Sequence, residues 1–128
     1  MLISINEDDA RPIYQQIIAQ VKEQVRTGAL EPSDLLPSVR ELARSLEINL
    51  HTVRNAYQRL GEQGVIRVRL GQRARVAEPP TSPANRAEAE ARLTQRLRDL
   101  ATEAYHLGVS REELLGLIDD ALGESGGG

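Results

Sequence analysis

Between Ser38 and Gly64 the sequence sets two short apolar-striped segments, each with its own opening cap, separated by little more than Glu47 and Ile48. Ser38 followed three residues later by Glu41 is a capping box, so a helix begins at Val39 and turns Val39, Leu42, Ala43 and Leu46 to one side. Asn49 caps the next helix, which carries Val53, Ala56, Tyr57 and Leu60 inward until Gly64 closes it. Two short helices joined so tightly have the spacing of a helix-turn-helix. A third helix supplies the rest of the core: after Pro12, placed at the first helical position, Ile13, Ile17, Val21 and Val25 recur every four residues, with Tyr14 and Ile18 beside them and Gly28 as the stop.

Beyond Gly64 the period changes. Val65, Ile66, Val68 and Leu70 precede Gly71 and Val76 follows it, the pattern of a two-stranded ribbon with Gly71-Gln72 as its tip. Such a ribbon is too small to stand alone in water and must pack on the helices as a wing. Leu35-Leu36, between Pro32 and Pro37, can add a short bridge strand, and the alternation of residues 2–5 (LISI) another. The fold class is therefore mainly α with a small antiparallel β wing: a winged helix-turn-helix over residues 1–77, followed by a C-terminal helical hairpin.

That hairpin follows a stiff proline-rich linker at 78–84. Asn85 with Glu88 caps a long helix whose Leu93, Leu97, Leu100, Ala104 and Leu107 follow one another at heptad steps, with Gly108 as its end. Ser110 with Glu113 opens a last helix bearing Leu114, Leu115, Ile118, Ala121 and Leu122. Two helices alone, residues 85–123, cannot bury these faces well enough to be stable, so the tail is expected to be a homodimer interface formed by Leu93, Leu97, Leu100, Ala104, Leu107, Leu114, Leu115, Ile118 and Leu122. The alternative is that it folds back on the first domain, against which the prolines at 79, 80 and 83 argue. Residues 124–128 are expected to be disordered.

Composition narrows the function. The chain of 128 residues has no Phe, Trp or Cys, so the core is aliphatic apart from three Tyr, and disulfides and thiolate metal sites are excluded. With no basic leader and no long apolar run, it is expected to be cytoplasmic, with no membrane partner. The two histidines, His51 and His106, are not at metal-ligand spacing, so neither a metal nor a cofactor is expected. No carboxylate pair, nucleophile-base set or phosphate-cradling glycine loop has a useful spacing, which argues against an enzyme. The net charge of −3 hides an asymmetry: residues 36–76 hold eight Arg against three Glu, and residues 78–128 five Arg against ten acidic residues. A basic middle beside an acidic tail suits DNA binding, because phosphate attraction follows the local field of the contacting face; ordinary solvated surface is the alternative on charge alone.

The order PIYQQI, LPSVRELA, NLHTVRNAYQRL, EQGVI and a glycine-containing hairpin, over roughly residues 10–77, resembles the DNA-binding domain of the GntR family of bacterial regulators. The short two-helix tail is similar to that of the YtrA-type branch, which has no large effector domain and dimerises through such a tail. The resemblance implies a dimeric repressor on a pseudo-palindromic operator in double-stranded DNA. Its second helix-turn-helix helix would enter the major groove with Leu50, His51, Thr52 and Arg54 outward. Arg54 can contact guanine or clamp a phosphate, and Arg40 stands at the matching arginine of PSVRELA, its alternative being a surface ion pair with Glu41 or Glu47. Ser38 and Asn49 can offer donors to phosphate, although capping alone accounts for them equally well. In the wing, Arg69, Arg73 and Arg75 surround Gly71, for the minor groove or the phosphates. Here the sequence departs from the family: Arg73 replaces a second wing glycine, Ala74-Arg75 replaces a hydroxyl-aromatic pair, and Ser33 and Glu47 stand where turn glycines are common. A small-molecule effector is possible, but the sequence names neither pocket nor ligand. The competing class is a winged-helix adaptor that binds proteins rather than DNA.

Overall fold

The computed structural model describes residues 1–123, and residues 124–128, read above as a disordered tail, lie outside the described residues. The elements run α1 (Ile13–Thr27), α2 (Val39–Leu46), α3 (Leu50–Glu62), β1 (Ile66–Arg67), β2 (Arg75–Val76), α4 (Pro83–Leu107) and α5 (Arg111–Gly123). The chain divides after Glu78 into two compact units, each taken here by itself.

In the first unit α1 packs on α3, α3 on α2, and β1 against α3. Ile17, Val21, Leu36, Val53, Ala56 and Leu60 are completely buried, so the four-residue periodicity of α1 and the inward stripe of α3 meet in one aliphatic core. Pro12 sits just before α1, with a non-helical ψ of 153°, and Gly28 ends the helix in the left-handed region at φ 86°. Ser38 Oγ accepts the Glu41 amide and Asn49 Oδ1 accepts the His51 amide, so both helix-turn-helix caps form.

The first six residues are not a strand. Their backbone is held instead by three glutamines on one edge of α1. Gln16 Oε1 accepts the Asn6 amide while its Nε2 donates to the Asn6 carbonyl; Gln20 does the same with Ser4, and Gln24 donates to the Leu2 carbonyl. The registry is geometric: four helical residues advance about 6 Å and two extended residues about 6.6 Å, so amides at 16, 20 and 24 meet peptides at 6, 4 and 2. Each side-chain amide offers one donor and one acceptor face, as a neighbouring strand does. Ile3 and Ile5 are thereby laid half-buried on the core.

The wing is shorter than the alternation suggests. β1 and β2 are two residues each, antiparallel, with Ile66 opposite Val76 and Arg67 opposite Arg75. Only Ile66, Ala74 and Val76 are buried, whereas Val68 is exposed and Leu70 fully so. The tip is a turn from Arg69 to Gln72, closed by the Gln72 amide donating to the Arg69 carbonyl, with Leu70-Gly71 at its centre rather than Gly71-Gln72. Gly71, at φ 76°, supplies the positive φ this turn needs at its third residue. The bridge strand expected at Leu35-Leu36 forms on the free edge of β2: Leu35 bridges Arg75, the Leu36 amide donates to Ala74, and Val76 donates to Asp34.

In the second unit α4 opens at Pro83, so the last two residues of the expected 78–84 linker are helical. Ser82 Oγ, not Asn85, provides the cap by accepting the Asn85 amide. Pro83 explains the earlier start, because its fixed φ suits a first helical position. Gly108 ends α4 at φ 74°, and the Ser110–Glu113 capping box forms in both directions. Among the described residues of this unit Ala104 alone is buried; Leu114 and Ile118 are half-buried, and Leu93, Leu97, Leu100, Leu107, Leu115 and Leu122 are exposed. No helix among the described residues is long and apolar enough to cross a membrane.

Glu47 closes α2 in the left-handed region at φ 56°, and Ser33 has φ 70°. A side chain there costs about 1–2 kcal/mol. Glu47→Gly is therefore expected to stabilise the domain by about 1 kcal/mol in urea unfolding with an unchanged m-value.

Candidate nucleic-acid interface

The outer side of the helix-turn-helix is set by what the inner side consumes. On α3, Val53, Ala56, Tyr57 and Leu60 are buried, which leaves His51, Arg54 and Gln58 exposed at helical steps of three and four. Arg54 Nη1 lies 3.3 Å from His51 Nδ1, so these two side chains share one patch on the first turns of the helix. Gln58 was not singled out from the sequence, although it stands four residues beyond Arg54 on the same face. Its amide is a donor-acceptor pair of the kind that reads adenine.

Leu50, read above as outward, is half-buried and packs on the core. Its position explains this: Leu50, Val53, Tyr57 and Leu60 lie at steps of three and four on the apolar stripe, so Leu50 begins the buried face of α3. Thr52 is half-buried. Arg59, on the opposite flank, is drawn away, its guanidinium 4.9 Å from the centre of the Tyr14 ring and its Nε bonded to Asn55. On α2, Arg40 and Arg44 are exposed, and neither has an ion-pair partner among the described residues, so the alternative pairing of Arg40 with Glu41 or Glu47 does not form. Ser38 and Asn49 are occupied as caps through their side-chain oxygens.

Two of the wing arginines are committed to the scaffold. Arg73 Nε donates to the Leu36 carbonyl at 3.1 Å and its Nη2 lies 3.6 Å from Glu41, while Arg75 Nη1 donates to the Ser33 carbonyl. Glu41 has thus left its capping box: the Ser38 half forms, and the carboxylate turns to Arg73. Arg69 and Arg67 have no such partner among the described residues. Arg67 too was not singled out from the sequence, yet it stands on β1 directly across from Arg75. Between α3 and β1 runs a groove of about 750 Å³ with an apolar floor of Val39, Tyr57, Ile66 and Val68, and with Arg54, Gln58, Glu62 and Arg67 along its rims. Among the described residues no group of three or more His, Asp and Glu side chains could hold a metal.

Tyr57 fixes α3 against this surface. Its hydroxyl donates at 2.8 Å to the Pro37 carbonyl, just before α2, and burial pushes its ionisation well above the usual tyrosine range. A group whose pKa is raised by folding stabilises the fold fully below its unfolded value, near 10, and that contribution is lost as pH rises past it. Unfolding free energy is therefore expected to decline above about pH 10. Tyr57→Phe should remove this part of the decline and cost about 1 kcal/mol at neutral pH, as urea titrations at several pH values would show.

Residues 13–76 match the model of the bacterial regulatory proteins of the gntR family. The chain is 35% identical to the HTH-type transcriptional repressor YtrA of Bacillus subtilis, over 99% of this chain and 97% of that one. Among solved structures it resembles YtrA from Sulfolobus acidocaldarius, a GntR-family transcription factor, with a TM-score of 0.69 and 32% identity over 95% of this chain and 97% of that one. The DNA-binding domain of AraR in complex with operator ORX1, at 22% identity and a TM-score of 0.53 over 60% of this chain and 96% of that one, shares the fold.

Proposed function

The chain belongs to the GntR family of bacterial regulatory proteins and to its YtrA-type branch, and from that premise we propose that it is a homodimeric repressor that reads a pseudo-palindromic operator. It is a DNA-binding transcriptional regulator, of a family that is not one of enzymes. The observation that carries the finer reading is the division of labour among its arginines. Arg59, Arg73 and Arg75 are bound to ring, carbonyl or carboxylate groups of the protein, whereas Arg40, Arg44, Arg67 and Arg69 stand in solvent without a carboxylate partner among the described residues, and Arg54 lies beside the His51 ring. Unneutralised guanidinium groups around a helix with a free polar face are what phosphate and base-edge recognition requires.

In this reading His51, Arg54 and Gln58 face the major groove, with Arg40 and Arg44 on the flanking phosphates and the turn around Gly71 beside the minor groove. The groove between α3 and β1 takes the sugar-phosphate ridge that separates the two, its apolar floor against the sugars and Arg54 and Arg67 on the charged oxygens. Ser38 and Asn49 act as caps that aim their helices, and Thr52 and Leu50 support the first turn of α3. The predicted partner of the tail is a second copy. Leu93, Leu97, Leu100 and Leu107 on α4 and Leu115 and Leu122 on α5 are exposed, and large apolar side chains left in water on the seam of a two-helix tail call for a covering partner. A two-fold pairing would offer two recognition helices to major grooves one turn, ~34 Å, apart. Such a protein would work in the cytoplasm, where the DNA is.

Arg54→Ala and Arg40→Ala are each expected to weaken binding to a selected operator by ~1–3 kcal/mol in mobility-shift titrations, with sedimentation unchanged. Equal affinity in both variants would remove the assigned surface. Replacing Leu97 and Leu100 together by Glu should yield monomers at micromolar concentration and reduce operator affinity ~100-fold or more, through loss of the second half-site. A wild-type chain that sediments as a monomer both free and on DNA would refute the paired tail.

A further inference from the structure

The groove between α3 and β1 has the form of a small-molecule site as well as that of a seat for the duplex. Its volume of about 750 Å³ lies within the roughly 300–1,000 Å³ that such sites occupy, and its floor is apolar. Val68 on that floor is more than half exposed, and Tyr57 and Ile66 continue the floor inward to the core. Gly61, in the last turn of α3, lines the same groove. It has neither a positive φ nor a capping role, and glycine within a helix is less favourable than alanine. A Cβ there would meet only the Val68 side chain, at 3.4 Å, so a bare backbone keeps the groove open where a larger side chain would fill it.

The rims supply the charge. Arg54 and Arg67 stand there against one carboxylate, Glu62, and no ion pair among the described residues joins Glu62 to either of them. A single negative charge therefore brings the groove to neutrality. An apolar floor beneath a cationic rim is the complement of an amphipathic anion, whose hydrocarbon part leaves water while its head keeps to a guanidinium group. Arg54 also lies 3.3 Å from His51 Nδ1, so one side chain belongs both to the groove and to the outward patch of α3.

We propose that the groove is the site of a small effector, an amphipathic monocarboxylate with an apolar body, and that its occupancy excludes the operator. The carboxylate engages Arg54 and Arg67 and the body lies along Val68, Ile66 and Tyr57 beside Gly61. Exclusion is direct: the acid takes the guanidinium group that the operator needs and sets a negative charge and a bulky body where the sugar-phosphate ridge would lie. Regulation by this route needs no movement of the tail. The exclusion rests on the DNA-binding reading, whereas binding of the acid in the groove stands or falls by itself.

The test uses the full chain and straight-chain carboxylates from butanoate to decanoate, with octan-1-ol and octylammonium as controls of the head group. Titrations without DNA follow the methyl resonances of Val39, Ile66 and Val68. Octanoate should shift them saturably, affinity should rise about two- to fourfold for each added methylene, and both controls should bind at least tenfold more weakly. Gly61→Leu, which puts a good helix former in the groove, should abolish the shifts. Arg67→Gln should weaken octanoate about tenfold and leave octan-1-ol unchanged, a split that a merely structural role for Arg67 would not produce. In a second arm, octanoate at ten times its own dissociation constant should raise the apparent Kd for a duplex enriched by the wild type about tenfold or more. Methyl shifts that are absent, or equal for the three head groups, would overturn the proposal while leaving the DNA reading intact. Octanoate and duplex bound together without mutual weakening would overturn the exclusion. If no duplex is enriched yet octanoate titrates the groove and Gly61→Leu abolishes it, the DNA reading fails and the acid site stands.

Discussion

The run from Ser33 to Pro37, extended after its left-handed first residue, is the constraint on which the first unit depends. Within five residues it pairs with β2 through Ser33, Asp34 and Leu36, buries Leu36 completely, accepts the Arg75 and Arg73 guanidinium groups on the carbonyls of Ser33 and Leu36, and accepts the Tyr57 hydroxyl on that of Pro37. Wing and recognition helix are thus both fastened to the strip of backbone that leads into α2. A ribbon of two paired residues has no independent stability, and it is this third strand, with the core beneath Ile66, Ala74 and Val76, that turns it into a fixed projection. The left-handed Ser33 at the start of the run is held by its hydroxyl's bond to Glu78 and by its amide on Val76, which is where strain of this kind is commonly offset.

The same economy of contacts explains how a chain of net charge −3 presents a cationic face. The arginines of residues 36–76 are sorted by their surroundings: some have a carbonyl, a ring or a carboxylate within reach, and the remainder have no carboxylate partner among the described residues. The acidic residues of α4 and α5 belong to the other unit, and some are spent on local pairs within their helix, such as Arg86 with Glu90. Since the field at a surface is set by nearby charge and screened over about 10 Å in salt, the overall sum says little about what that surface attracts.

Much of this was legible in the sequence because it depends on local rules. The periodicity of Ile13, Ile17, Val21 and Val25, the caps at Ser38, Asn49 and Ser110, the stops at Gly28 and Gly108, and the inward Tyr57 are short-range consequences of helix geometry and hydrogen-bond demand. The departures have two different causes. Residues 2–5 alternate as a strand would, and nothing local says that glutamines ten to twenty-two residues away will stand in for a neighbouring strand. Leu50 follows directly on the cap, which suggests an outward side chain, yet the stripe of Val53, Tyr57 and Leu60 already places it on the buried face.

The helix-turn-helix, the existence of a wing and the family could be read from the order of residues alone, since each rests on spacing along one stretch of chain. Which arginines lack a partner among the described residues became visible on folding. Arg67 and Arg69 look no different from Arg73 and Arg75 in a string of letters, and what separates them is the presence of Leu36 and Ser33 carbonyls brought in from more than thirty-five residues away. A guanidinium group takes whichever acceptor the fold places beside it, so its role is fixed by packing between distant segments rather than by its neighbours in sequence.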